Sequence, residues 1–149
     1  MIGAPGAGPS PRLDLEVLLG HLAGLARDQL ERRGALVCMG AYLARGGGIT
    51  NLVVEPPEDG SGLMHLASTR RALGGMGQAT AAAAAADLVL PAPSAEGMTD
   101  AVVIDLDHRA PGEGPLRVLW PYRRRRSRGP SFGAMTTGPG DAIFPPPRT

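Results

Sequence analysis

Lysine is missing altogether, so all fifteen basic residues are arginine. A Walker-type phosphate loop needs a lysine to reach the phosphates, and that chemistry is excluded at once. Cysteine occurs only as Cys38, which rules out an intrachain disulfide and a cysteine-based zinc site. Aromatic residues make up 3% of the chain, so any core has to be aliphatic. No apolar run approaches the roughly 20 residues that span a bilayer, and Ala79–Leu90 is short and interrupted by Asp87. The first residues, MIGAPGAGPSPRLDLE, have neither a basic n-region nor an apolar h-region. A reducing, cytoplasmic setting without membrane contact is therefore expected. The net charge of +1 gives no global field toward nucleic acid, so affinity of that kind has to come from local clustering.

What is present fits one folded domain: 149 residues, 43% hydrophobic and 19% charged. Residues 1–9 are Gly, Ala and Pro with little to bury and read as a tail. The domain is expected over 10–126, and 127–149 reads as a Gly/Pro-rich C-terminal tail that can dock in part through Phe132 and Ile143-Phe144, with polyproline at Pro145-Pro146-Pro147. Ser10-Pro11 is an N-cap followed by proline at the first helical position. Leu15, Leu18, Leu19, Leu22, Leu25, Ala26 and Leu30 then recur at three and four, and Gly34 closes the helix. Ala35–Ala44 and Ile49–Glu55 form a hairpin across Arg45-Gly46-Gly47-Gly48. A second helix runs from Ser61 through Leu63, Leu66 and Leu73 to Gly74-Gly75. Ala79–Ala86 is ambiguous, because alanine favours helix while Leu88-Val89-Leu90-Pro91 favours a strand end; it is assigned to strand.

The most informative stretch is Thr99–Arg126. Val102, Ile104 and Leu106 alternate with Ala101, Val103, Asp105 and Asp107, the period of two of a pleated strand. Leu116, Val118, Trp120 and Tyr122 make the matching face of a second strand after a Pro/Gly turn. Pro121 cannot donate to a ladder and belongs at a strand end, an edge or a bulge. The predicted order is α-β-β-α-β-β-β, an α+β fold with an antiparallel sheet of about five strands and two helices packed on it.

Met39-Gly40-Ala41, Asp100-Ala101-Val102, Leu106-Asp107-His108-Arg109, Pro121-Tyr122-Arg123, Phe132-Gly133 and Ile143-Phe144-Pro145 follow one another in an order that resembles a family of small uncharacterised bacterial proteins. The resemblance implies no activity and no cofactor. The chain departs from it in Gly46–Gly48 and in its long arginine run. The element order is also similar to that of profilin-like and roadblock domains, an analogy of fold alone.

Two places carry candidate chemistry. Asp105, Asp107 and His108 supply two carboxylates on one strand face with a neighbouring imidazole, the residue types for a metal-binding or hydrolytic site. Against that, His108 alternates to the opposite face, and a solvent face with acids paired to Arg117 or Arg109 across the hairpin is the better explanation of the pattern. Arg123, Arg124, Arg125, Arg126 and Arg128 form a basic run around Ser127 that can pair with phosphates or an acidic partner, with Tyr122 or Trp120 as a stacking face for a base. His21 and His65 read as surface or boundary residues of the helices, Cys38 as a small hydrophobe, and Ser61 as an N-cap.

No convergent catalytic, cofactor-binding or metal set emerges. The leading expectation is a non-enzymatic protein-interaction domain with a protein partner or self-association through a sheet edge or the first helix. The alternatives are a nucleic-acid-binding accessory protein using the run at Arg123–Arg128, and a metal-binding or hydrolytic enzyme at Asp105, Asp107 and His108.

Overall fold

The computed structural model describes residues 10–56, 61–94, 96–124 and 129–145. Helix α1 (Pro11–Arg33) begins where the Ser10 side chain accepts the Leu13 N–H at 3.1 Å. It ends at Gly34, whose φ of 70° lets its N–H return to the Leu30 carbonyl. Strands β1 (Met39–Ala44) and β2 (Ile49–Leu52) follow, joined by a turn in which Gly46 and Gly47 have φ of 97° and 90°. Only glycine adopts such values without strain. Helix α2 (Gly62–Gly74) is capped by Ser61. Strands β3 (Ala79–Val89), β4 (Asp100–His108) and β5 (Leu116–Arg123) complete the predicted order, and two short strands, β6 (Ser131–Phe132) and β7 (Thr136–Pro139), follow. The fold is α+β, and every strand pairing is antiparallel.

Across the sheet the strands run β2-β1-β3-β4-β5-β6, with β7 beside β6 on the outer side of β5. The helices lie on opposite faces. Leu15, Leu18, Leu22, Ala26 and Leu30 of α1 pack on Ala41, Leu43, Ala81, Ala83, Ala85, Val102, Ile104 and Leu106. Leu66 and Leu73 of α2 pack on Tyr42, Ala82, Ala84, Ala86 and Val103, together with Ile143 and Phe144 from the C-terminal end. Strand β3 is therefore buried on both sides, and Ala81–Ala86 are all buried. A strand of methyl groups keeps the three layers thin. Gly40 serves the same end, since a Cβ there would lie 3.0 Å from both Leu73 Cδ1 and Thr69 Cγ2.

The two-faced burial corrects one expectation. The β4 face bearing Asp105 and Asp107 does not meet solvent; both side chains are buried, Asp105 against Arg70 of α2 and Asp107 against the backbone of Ile143 and Phe144. Pro121, in contrast, lies within β5 at no cost to the β4–β5 ladder. Its carbonyl accepts the Gly133 N–H on the outer side, so its nitrogen also faces outward, between the stretches covered by β7 and β6.

Close packing of the alanine strand makes a direct prediction. Ala83→Leu forces extra methylenes between β3 and α1 and should lower stability by roughly 1–3 kcal/mol, read as a reduced urea midpoint. An unchanged midpoint would show slack in this layer.

Candidate functional site

The chemistry-bearing residues concentrate where β4 meets β5 and the C-terminal segment. Asp105 is 0% exposed. Arg117, its cross-strand partner in β5, donates Nε to Oδ1 at 2.7 Å and a terminal nitrogen to Oδ2 at 3.0 Å. Arg70 of α2 donates to Oδ2 at 2.7 Å. These contacts hold the Arg117 guanidinium above its ordinary pKa, the hydrogen bond to Asp105 being the main cause. Asp141 approaches both arginines from outside. The carboxylate is a joint between α2, β4 and β5.

Asp107 does different work on the same face. Its Oδ2 accepts the N–H groups of Ile143 and Phe144 at 2.8 and 3.1 Å, and Oδ1 accepts the His108 N–H at 2.9 Å. The carboxylate thus docks the apolar pair Ile143-Phe144 under α2. Arg109 lies over the Phe144 ring at 4.3 Å and donates to the carbonyls of Ala79 and Met76.

His108 points the other way, to α1. Its Nδ1 accepts the Ala110 N–H at 2.9 Å, which leaves the ring proton on Nε2 to be donated to Asp14 Oδ2 at 2.8 Å. The three residues that the sequence groups together are therefore divided between two sheet faces, each with its own partners. A cleft of about 480 Å³ opens beside them, lined by His108, Arg109 and the 110–115 turn. The polar groups at its inner wall already bond within the fold. Among the described residues no three His, Cys, Asp or Glu side chains come together to hold a metal ion.

Of the arginine run, Arg125, Arg126 and Arg128, with Ser127, lie outside the described residues. Arg123 is exposed and reaches the Glu96 carbonyl at 3.5 Å. Arg124 turns back into the fold, donating to Asp87 Oδ2 at 2.9 Å, to the Tyr122 hydroxyl at 3.0 Å and to the Gly34 carbonyl at the end of α1. Of the two stacking faces considered, Tyr122 is not available, because it is fully buried and its hydroxyl donates to Asp87 Oδ1 at 2.5 Å. Burial pushes the Tyr122 hydroxyl well above its ordinary pKa, and the bond to Asp87 adds to this. Trp120 stacks on Phe132 with centroids 4.1 Å apart.

The remaining candidates have local roles. His21 bonds Asn51 across α1 and β2 at 2.7 Å, and His65 reaches the Val54 carbonyl at 2.6 Å. Cys38 is buried 3.4 Å from the Thr69 hydroxyl, and burial raises its thiol pKa, the opposite of a reactive thiolate.

Arg70, Asp141 and Asp14 do not emerge from the sequence reading as site residues. One of them carries a signal: Arg70 falls four residues after Leu66 and three before Leu73, on the buried stripe of α2. Asp14 and Asp141 have no such mark, because their partners are 94 and 24 residues away.

The sheet edges differ. Strand β5 is covered by β7 along Leu116–Leu119 and by β6 at Tyr122 and Arg123. Among the described residues strand β2 pairs only with β1, and its outer side is left bare. Ile49, Thr50 and Asn51 are exposed, Val53 is 67% exposed, and Ile49–Val54 contains no charged residue and no proline. Leu13 and Val17 of α1, both exposed, stand beside the turn leading into it. No protein-family model, curated protein or solved structure matches the chain.

Two outcomes follow. Asp105→Asn leaves two largely buried guanidinium groups short of a charge and should cost about 3–5 kcal/mol in chemical denaturation; a loss well under 1 kcal/mol would contradict the joint. The Asp87 carboxyl is held above its ordinary value of 3.8, desolvation outweighing its bonds from Tyr122 and Arg124. Since the raised pKa belongs to the folded state, this group favours folding at acid pH. The contribution fades as pH rises from the ordinary carboxylate range through the raised value. An NMR titration of the Asp87 carboxyl should show a midpoint above 3.8; a lower midpoint would contradict this.

Proposed function

We propose that the chain is a non-enzymatic protein-interaction domain that pairs with a second copy of itself along β2. The uncharged edge from Ile49 to Val54, bare among the described residues, carries this reading. An exposed strand presents a row of unpaired backbone donors and acceptors. Folded proteins ordinarily blunt such a row with charges, proline or a bulge, and β2 has none of the first two. Two copies meeting antiparallel about a two-fold axis would each contribute the same strand and extend the sheet across the junction. Such symmetry sets equivalent side chains near one another, so a charged edge would repel itself. This edge does not.

The surroundings support the pairing. Ile49 and Asn51 share the α1 face of the sheet with their partners Leu43 and Ala41, and His21 holds Asn51 in place. Exposed Ile49, Val53, Leu13 and Val17 add apolar surface around the strand. The carboxylates of the β4 face, in contrast, are spent on internal partners.

Sedimentation velocity over a range of concentrations tests the reading. The chain should reversibly form dimers, and Thr50→Lys combined with Val53→Lys, which sets like charges across the two-fold, should weaken them at least about tenfold with an unchanged circular dichroism spectrum. A strict monomer at all concentrations, or a dimer indifferent to both lysines, would overturn it.

A further inference from the structure

The arginine pair at Asp105 has more positive charge than its buried partner can balance. Arg70 and Arg117 are 15% and 28% exposed, and Asp105, fully buried, neutralises one of them. Among the described residues the other charge faces only Asp141. That carboxylate is 64% exposed, with Oδ2 at 3.2 Å from an Arg117 terminal nitrogen and 3.5 Å from an Arg70 terminal nitrogen. Asp105 is held by short, buried contacts. Asp141 is held by long ones at the surface, where ion pairs are weak.

We propose that Arg70 and Arg117 form a clamp for a small oxyanion, and that Asp141 occupies this clamp as an internal stand-in. The two guanidinium groups converge on a single oxygen, Asp141 Oδ2, which marks where an oxygen of the ligand sits. Each turns one terminal nitrogen to that oxygen, a charged donor suited to the oxygens of a phosphate group or a carboxylate. Asp105 fixes both arginines in position before any ligand arrives, so little ordering remains to be done on binding. Asp141 can leave by rotating its side chain. Its backbone is held on both sides, by the Gly140 N–H on the Pro115 carbonyl and by the Ile143 N–H on Asp107. The clamp lies at the β5 side of the sheet, away from the β2 edge, and does not depend on self-pairing.

Calorimetric titration of inorganic phosphate and of acetate into the full chain at low ionic strength tests this. Asp141→Ala should bind one of the anions about tenfold more tightly than the unaltered chain, because the internal competitor is gone. Glu55→Ala, with the same change of charge near the opposite edge, should bind as the unaltered chain does. Preference for phosphate assigns the clamp to a phosphate group, and preference for acetate assigns it to a carboxylate. Adding Arg117→Gln to Asp141→Ala should abolish binding. NMR of the arginine Nε groups in Asp141→Ala provides a readout that does not rely on the double variant folding, and the resonances of Arg70 and Arg117 should move on titration. The proposal is overturned if Asp141→Ala binds neither anion or binds no better than the unaltered chain. It is equally overturned if Glu55→Ala gains as much affinity, if a folded double variant still binds, or if the two arginine resonances stay fixed.

Discussion

A carboxylate excluded from water has to be matched by charge and hydrogen bonds, and in this chain the matching of Asp105 by Arg117 and Arg70 fixes the relation of three elements at once. Arg117 comes from the adjoining strand and Arg70 from the helix above. Neither the β4–β5 register nor the seat of α2 can shift without stranding a charge, and a stranded buried charge costs several kcal/mol. Asp107, two residues on, extends the arrangement by binding the backbone of Ile143 and Phe144. Those side chains then complete the apolar layer beneath α2. The α2 side of the sheet is thus organised by two acids, whereas the α1 side is organised chiefly by leucine packing, with His108–Asp14 as a polar tie.

The alanines of β3 make both arrangements compatible. With methyl groups on each face of the central strand, α1 and α2 approach the sheet closely enough for Arg70 to reach Asp105 from one side and Asp14 to reach His108 from the other. The polar contacts depend on that thinness. Asp105, Asp107 and His108 are therefore ties between layers, and among the described residues the strand edge left without a pairing partner lies elsewhere, along β2.

Much of this was legible in the residues. Ser10-Pro11 and Gly34 bracket α1 as capping chemistry requires, Gly46 and Gly47 turn the first hairpin, and the alternation of Val102–Leu106 and Leu116–Tyr122 marks the second. The burial of Asp105 and Asp107 was not, because alternation of apolar and acidic residues describes a sheet with one wet face equally well. Deciding between the two requires knowing that α2, seated on β3 and β1, reaches β4 through Arg70, a contact set by residues far away in the chain. Strands β6 and β7 are equally hidden: Ser131-Phe132 and Thr136-Thr137-Gly138-Pro139 have little strand character, and their order comes from the bonding groups that β5 offers. The bare edge could not be read either. The terminal position of β2 follows from β3 pairing with the other side of β1, some forty residues on. The apolar, uncharged character of Ile49–Val54 acquires meaning only once that position is known.

The central claim, that the bare edge of β2 is where two copies of the chain meet, is tested most directly by hydrogen–deuterium exchange of the β2 amides at increasing protein concentration. Pairing predicts that outward-facing amides within Ile49–Leu52 become slower to exchange as concentration rises, while the amides of β5, already covered by β6 and β7, do not change. Exchange of the β2 amides that stays equally fast at every concentration would contradict the claim.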